Sequence, residues 1–264
     1  MISWIHNPMN KQPRILLWDI ETSFNIVATF SLFNDMPINH RNVLQEWNII
    51  SVSWKWLGEK KTHSISVADD AAMFEANPCN DYAICVKMQE LFEEADAVVH
   101  HYGDKFDLPK VNARLAFHRL APLKPIVQID TKKIASKHFK FNSNRLDYLG
   151  IFLNVGKKID TPPDLWLRCL RGDKKAVEEM VRYNRGDVKL LEDVFNVLYP
   201  FAAVSINRQL FLDREDICPK CGSKHLEYRG YRYTLARKYR RFQCKKCGSW
   251  GASKKHEPLI KENV

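Results

Sequence analysis

The sequence predicts an α/β domain, a mixed sheet flanked by helices, followed by a small C-terminal module. Three observations carry this. Short apolar runs of strand length first follow one another as a meander and then alternate with segments of helical spacing. The 264 residues are 45% hydrophobic, enough for one large core plus a satellite. The charge is divided: residues 1–213 carry 27 Lys and Arg against 26 Asp and Glu, whereas residues 214–264 carry 14 against 5. Nearly all of the excess positive charge therefore sits at the C-terminal end, which points to a polyanionic partner.

The elements follow in order. Residues 1–13 are polar with two prolines and read as an arm. Ile15-Leu16-Leu17-Trp18-Asp19-Ile20-Glu21-Thr22 is a strand predicted over 14–21; its apolar run ends in two carboxylates two residues apart. Residues i and i+2 of a strand share a face, so Asp19 and Glu21 project side by side, repel each other and are costly to desolvate unless a cation joins them. The plainer alternative is a strand running out into an exposed acidic turn. Phe24 to Trp47 reads as a long irregular loop carrying Phe24, Ile26, Phe30, Leu32, Phe33 and Trp47. It is either a substrate-facing insertion or a loop packed on the core.

Ile49 to Leu57 and Thr62 to Val67 form a hairpin through Gly58-Glu59-Lys60-Lys61. Helical spacing covers 81–95. A short buried strand spans 97–99, and a helix with Pro109 in its first turn spans 108–120. A strand covers 126–129. A helix over 144–153 is capped from Ser143 or Asn144, and a shorter helical piece spans 164–171. Asp173 to Leu198 reads as one long helix with Gly186 as a possible kink.

This organisation gives a domain over 14–200, a connector over 201–216, a module over 217–251 and a basic tail over 252–264. No apolar leader or run of eighteen apolar residues occurs, so neither secretion nor membrane insertion is expected. Of seven cysteines, Cys79, Cys85 and Cys169 are scattered and four form paired C-x-x-C motifs. This suits a reducing, cytoplasmic compartment better than a disulfide framework.

Two further acidic positions complete a constellation. In His101-Tyr102-Gly103-Asp104-Lys105-Phe106-Asp107, Asp107 opens a helix, where capping is its plain structural role. In Tyr183-Asn184-Arg185-Gly186-Asp187, Tyr183 and Asp187 are four apart and share a helix face. Asp104 is expected to be solvated and Asp130 structural.

The ordered set Asp19-x-Glu21, Phe106-Asp107 and Tyr183-x-x-x-Asp187 resembles the DEDD superfamily of 3′–5′ exonucleases, with the ribonuclease-H-like fold of proofreading domains. The tyrosine four before the last aspartate resembles the DEDDy subgroup. The likeness runs from about Arg14 to Pro200 and includes Gln128-Ile129-Asp130-Thr131 and Ser143-Asn144-Arg145-Leu146-Asp147-Tyr148-Leu149. The chain as a whole looks like stand-alone bacteriophage-type exonucleases. The resemblance implies a ribonuclease-H-like mixed sheet flanked by helices. It implies that Asp19, Glu21, Asp107 and Asp187 hold two Mg²⁺ or Mn²⁺ ions and that Tyr183 orients the attacking water. All-oxygen donors suit such hard cations. It places the terminal nucleotide near Thr22 and Tyr102. At Tyr102 this chain departs from the family, which usually has asparagine there.

Cys218-x-x-Cys221-Gly and Cys244-x-x-Cys247-Gly, 22 residues apart, have the spacing of a tetrahedral Zn²⁺ site. Between them, Arg229, Tyr231, Arg232, Arg237, Arg240 and Arg241 interleave cations with aromatics. That pattern suits phosphates and bases; the alternative is a hairpin whose aromatics pack internally. The pattern resembles transposase-type zinc ribbons. The expected protein is thus a metal-dependent 3′–5′ exonuclease whose zinc ribbon grips nucleic acid, DNA favoured over RNA, with a separate polymerase or replication protein as a possible partner. A nucleic-acid-binding adaptor with an inactive fold, or an exoribonuclease, remains open.

Overall fold

The computed structural model describes residues 12–31 and 37–257. Most of the expected arm, Leu32, Phe33 and residues 258–264 of the expected tail lie outside that range. The chain divides into two compact units, Ile15–Phe195 and the chain from Asn196 onward.

In the first unit, β1 (Ile15–Thr22) lies at the centre of a five-stranded sheet. Its four leading residues are buried on both faces, as a continuous apolar run requires of a central strand. β2 (Ile26–Val27) and β3 (Val43–Gln45) pair with each other apart from this sheet. β4 (Ile49–Trp56) runs antiparallel to β1, and β5 (His63–Ser66) antiparallel to β4. α1 (Ala71–Ala76) and α2 (Tyr82–Glu94) precede β6 (Ala97–His100), which is parallel to β1. α3 (Asp107–Phe117) leads to β7 (Val127–Asp130), parallel to β6. α4 (Thr131–His138), α5 (Leu146–Phe152), α6 (Leu165–Leu170) and α7 (Lys174–Leu198) complete the unit. The order β5-β4-β1-β6-β7 is the mixed α/β sheet that the sequence predicts.

The two faces of β1 have different jobs. Leu16, Trp18 and Ile20 join the main core with Met88, Phe92, Val111 and Leu115, where Trp18 meets Phe92 edge-on at 5.6 Å. The opposite face carries Leu17, Asp19 and Glu21. Their β4 partners are Lys55, Ser53 and Ser51 in that order, and paired residues share a face. Short serines opposite the carboxylates leave room for them. Lys55, buried on the same face, is paired with Glu192 of α7.

Several local expectations change. The segment 24–47 contains the β2–β3 pair, too short and too rich in Asn and Pro to announce itself. α1 and α4 are unforeseen; each is short and begins at an aspartate cap, Asp70 accepting from Met73 N–H and Asp130 from Lys132 N–H. The helix predicted over 144–153 starts later, at Leu146, with Arg145 as its uncapped N-cap. Its first residues are held out of the helix because the Asn144 carbonyl accepts from His101 Nε2 at 2.9 Å, while Ser143 Oγ accepts from Arg145 N–H. Gly186 is no kink: α7 runs unbroken through it. A Cβ there would lie 2.8 Å from Ile159, so the glycine admits a neighbouring chain. Asp104 is not solvated either; its side chain is mostly covered and pairs with Lys133.

The second unit contains α8 (Arg208–Phe211) and a three-stranded sheet of β8 (Leu226–Tyr233), β9 (Lys238–Cys244) and β10 (Trp250–Glu257), in the order β10-β9-β8. The third strand reaches Glu257, so residues 252–257, expected in a tail, belong to the sheet. The expected connector is packed as well. Gln209 is buried and donates to the Ile217 carbonyl at 2.8 Å, and Lys220 Nζ caps the carbonyls of Tyr199, Pro200 and Ala202.

Candidate active site and metal centres

Three elements converge at the C-terminal end of β1. β1 supplies Asp19 and Glu21, the N-terminus of α3 supplies Asp107, and the middle of α7 supplies Tyr183, Asn184 and Asp187. Carboxylate oxygens of Asp19, Glu21 and Asp187 all lie within 4.8 Å of one another. Asp107 stands outside that trio, but its charge is the strongest single Coulombic influence on Asp19 after burial itself.

Burial and like charge dominate the electrostatics of this acidic cluster, which Lys158 compensates only in part. Burial, reinforced by Asp107, Asp187 and Glu21, holds the Asp19 carboxyl well above the ordinary range. Burial and then Asp187 push Glu21 up to about 8. Burial raises Asp107 to about 7, opposed by the Ile20 backbone N–H, which favours the carboxylate. Asp187 is raised by burial too, although Lys158 and Tyr183 favour its charged form.

One feature of Asp187 bears on a cation directly. It is only 2% exposed, and its Oδ1 is buried with no hydrogen-bond partner. An orphaned carboxylate oxygen beside two others is a poor arrangement for a protein alone and a good one for a hard cation. The donor set therefore fits Mg²⁺ or Mn²⁺.

Two residues that the sequence reading passed over complete the cluster. Asn184, fully buried, donates from Nδ2 to Asp19 Oδ2 at 2.7 Å and accepts from Ser51 Oγ at 3.2 Å. Asp19 is thereby fixed between a strand and a helix. Lys158, in the segment between α5 and α6, donates to Asp187 Oδ2 at 2.5 Å and to the Tyr183 hydroxyl at 3.1 Å. Burial opposes its charge, yet Asp187 and Asp19 together raise its basicity above that of a free lysine. Lys158 occupies Oδ2 and leaves Oδ1 open. Its backbone N–H donates to Asp147 Oδ1 at 2.9 Å, so Asp147 of the Ser143–Leu149 motif sets the position of Lys158. Burial and Asp187 push the Tyr183 hydroxyl up to about 12, which keeps it a neutral donor. Its ring lies edge-on to Trp166 at 5.8 Å.

The loop leading to Asp107 is held by two neutral histidines. His100 Nδ1 accepts from Gly103 N–H, which leaves Nε2 to donate to Gln128. Burial lowers both His100 and His101 to about 4. Tyr102 sits at φ 68°, a left-handed conformation that asparagine adopts far more readily than tyrosine. The exposed Tyr102 ring lies under Lys132 Nζ at 3.5 Å. Thr22 Oγ1 accepts from Lys110 Nζ at 2.6 Å, and that ammonium also covers the Trp47 and Phe106 rings. Asp130, expected to be structural, caps α4 and accepts from Tyr102 N–H.

A second acidic group, Asp81 with Cys85 and His118, makes no comparable case for a metal. Asp81 is fully buried, but its oxygens already accept from Arg114 Nε and Nη2, His118 and Ile49 N–H.

In the C-terminal unit, the four predicted cysteines meet. Cys218 Sγ lies 3.8 Å from Cys247 Sγ, and Cys221 Sγ lies 3.6 Å from Cys244 Sγ. Zn–S bonds of ~2.3 Å in a tetrahedron require S···S separations of ~3.8 Å. Each pair forms the same turn: Gly222 N–H donates to Cys218 O and Gly248 N–H to Cys244 O, both at 2.9 Å, with φ near +75° at each glycine. The set fits one Zn²⁺. On β8 and β9 and the turn between them, Arg229, Arg232, Arg237, Arg240 and Arg241 are exposed, and Arg229 is paired with Glu227. Tyr228 meets the buried Phe242 edge-on at 5.9 Å, but both Tyr228 and Tyr231 are exposed.

The sequence model of the RNase_H superfamily (RNase_H_2) matches residues 58–199, more than half of the chain. The chain belongs to the RNase H superfamily. The match starts beyond β1, so Asp19 and Glu21 lie outside it. Among solved structures, this RNase H superfamily chain is similar to the family B DNA polymerase of the hyperthermophilic archaeon Pyrobaculum calidifontis, at 14% identity and a TM-score of 0.53. The similarity covers 72% of this chain and 25% of the polymerase, and at that identity it is a likeness of fold. No curated protein matches the chain. Among the described residues, no helix is long and apolar enough to cross a membrane.

The raised carboxylates give a pH signature for cation binding. A carboxyl whose folded value lies above its unfolded value favours folding while protonated, and that contribution is lost as pH rises through the folded value. For Glu21 and Asp107 the window runs from the ordinary carboxylate range up to about 8 and about 7. The metal-free protein therefore loses stability across that window, and a cation must displace those protons to bind. The rise in Tm on adding Mg²⁺ should grow from pH 6 to pH 8.5, as thermal denaturation with and without the ion would record.

Proposed function

We propose that this chain is a metal-dependent 3′–5′ exonuclease acting on nucleic acid, DNA in preference to RNA, with a C-terminal zinc ribbon that grips the substrate. The observation that carries the proposal is the convergence of Asp19, Glu21 and Asp187, with one Asp187 oxygen unpartnered, on an RNase H superfamily sheet. Asp19, Glu21, Asp107 and Asp187 would hold two Mg²⁺ or Mn²⁺ ions, which when bound supply an activated water and stabilise the departing 3′ oxygen. The remaining work falls to the chain's own side chains. Asn184 fixes the rotamer of Asp19. Tyr183 presents its hydroxyl to the attacking water as a neutral donor. Lys158 orients that hydroxyl and places a positive charge where a phosphate gathers negative charge. Thr22 and Tyr102 would meet the terminal nucleotide.

Tyr183→Phe keeps the ring and removes the hydroxyl, so turnover should fall by roughly 10²–10⁴ with little change in KM. Lys158→Ala should lower turnover by about 10²-fold, as expected for one lost charge-stabilising donor. Because Asp187 Oδ1 is already free, it should leave the Mg²⁺-induced rise in Tm in place. Single-turnover kinetics with thermal denaturation separate the two effects.

The proposal itself is tested by offering matched, 3′-labelled single- and double-stranded DNA and RNA, with Mg²⁺ and with EDTA. Mg²⁺-dependent release of labelled mononucleotide is expected, fastest from DNA. Binding without release from any of the four would leave an adaptor with an inactive fold.

A further inference from the structure

The ribbon's sheet does not bury all of its aromatic residues. Phe242 is buried at the centre of its small core, but Tyr228, Tyr231, Tyr233 and Trp250 remain 44%, 39%, 70% and 47% exposed. Trp250, Arg241 and Arg232 share one face of the sheet and line a slot of about 450 Å³ there, whereas the register puts Tyr231 and Tyr233 on the other face. The Arg241 guanidinium lies 4.8 Å over the Trp250 ring, and Tyr231 and Tyr233 stand 6.3 Å apart with their rings tilted by 52°. Residues 217–251 carry ten Lys and Arg against one acidic residue, Glu227.

We propose that this slot takes an unstacked nucleobase, so that the ribbon holds single-stranded rather than paired nucleic acid. The inference rests on the reading of the ribbon as a nucleic-acid-binding module and names the strand it selects. The exposed indole of Trp250 has the Arg241 guanidinium over one face and leaves the other to a base; stacking on such a face is tolerant of sequence. Arg232 and Arg241 at the rim give phosphates a charge partner. A base inside a duplex already has both faces covered by its neighbours. It reaches the slot only if flipped out, at a cost of a few kcal/mol, whereas a single strand or a frayed 3′ end enters without that cost. A site of this kind would hand an unpaired end to the nuclease, which can act only on a free terminus.

The test uses the full chain carrying Asp19→Ala, so that no substrate is consumed, with Zn²⁺ content verified. A labelled oligothymidylate and a labelled duplex of equal length report binding by fluorescence anisotropy. Adding Trp250→Ala should weaken single-strand binding about 5- to 100-fold, the range for one lost stacking platform, and leave duplex binding within about twofold. Trp250→Phe should restore most of the loss, which a merely structural role of the indole would not predict. If Trp250→Ala fails to retain zinc, Trp250→Leu, which keeps apolar bulk and offers no ring face, should give the same selective loss. Equal losses on both substrates, or none on either, would overturn the slot while leaving the ribbon a charge-based grip. If the parent protein bound neither substrate, the ribbon reading would fall as well. Binding of a labelled poly-glutamate peptide at the same site, lost with Trp250→Ala, would make the slot a protein-docking site instead.

Discussion

Asp19→Ala and Asp187→Ala should each lower turnover by roughly 10³-fold or more, and each should raise the Tm of the metal-free protein. Both effects have one cause. Asp19, Glu21 and Asp187 crowd their oxygens within 4.8 Å; burial raises all three, and the charge of Asp187 raises Asp19 and Glu21 further. Deleting one carboxylate relieves repulsion when no cation is present, and removes a donor from the cations the reaction requires. A residue that merely stabilises the fold would do the opposite in the melting experiment. Asp187→Ala also releases Lys158, whose ammonium then has only the Tyr183 hydroxyl among its observed partners. Its gain in Tm should therefore be the smaller of the two. Steady-state cleavage and thermal denaturation in chelator, run on the same preparations, measure both halves.

The second large effect belongs to the thiolates. Cys218→Ser with Cys221→Ser should abolish Zn²⁺ retention and most nucleic-acid affinity, while leaving cleavage at saturating substrate measurable. So small a module, with Phe242 as its one fully buried aromatic, has little core of its own to survive metal loss. The rest of the chain, residues 1–213, is nearly neutral at 27 basic against 26 acidic residues and has little long-range pull on a polyanion. Binding by the double variant should therefore also lose salt dependence. Each phosphate contact removed flattens the log–log slope by about 0.7 for a single strand. Affinity measured between 50 and 200 mM salt reads this directly; an unchanged slope would place the phosphate contacts elsewhere.

How far the sequence foretold this arrangement can be read residue by residue. β1 was legible because a buried central strand must be apolar on both faces, and Asp19 and Glu21 because they break that run at the same parity. Asp187 and Tyr183 were legible through helical spacing. The four cysteines were legible because two identical knuckles leave little other use for them. What escaped was contact between distant segments. Asn184 lies 165 residues from the Asp19 it orients, and nothing local distinguishes it from a solvated helix residue. Lys158 carries no local signal in the sequence; only its tie to Asp147 and its approach to Asp187 give it a place. The signal that could have found Asn184 was a polar residue on the buried face of α7, next to the tyrosine already singled out. The β2–β3 pair and α1 escaped because such short elements are decided by tertiary packing rather than by periodicity. Gly186 misled for a related reason: it makes room for Ile159, a neighbour invisible in the local pattern.

The central claim is that this cluster removes nucleotides one at a time from a 3′ end. A 5′-labelled single-stranded oligodeoxynucleotide, incubated with Mg²⁺ and sampled over time, tests it most directly. The expected result is a ladder of labelled products that shortens progressively by single nucleotides and is absent with Asp19→Ala. Immediate appearance of a labelled mononucleotide, or of internal fragments before any ladder, would contradict the claim.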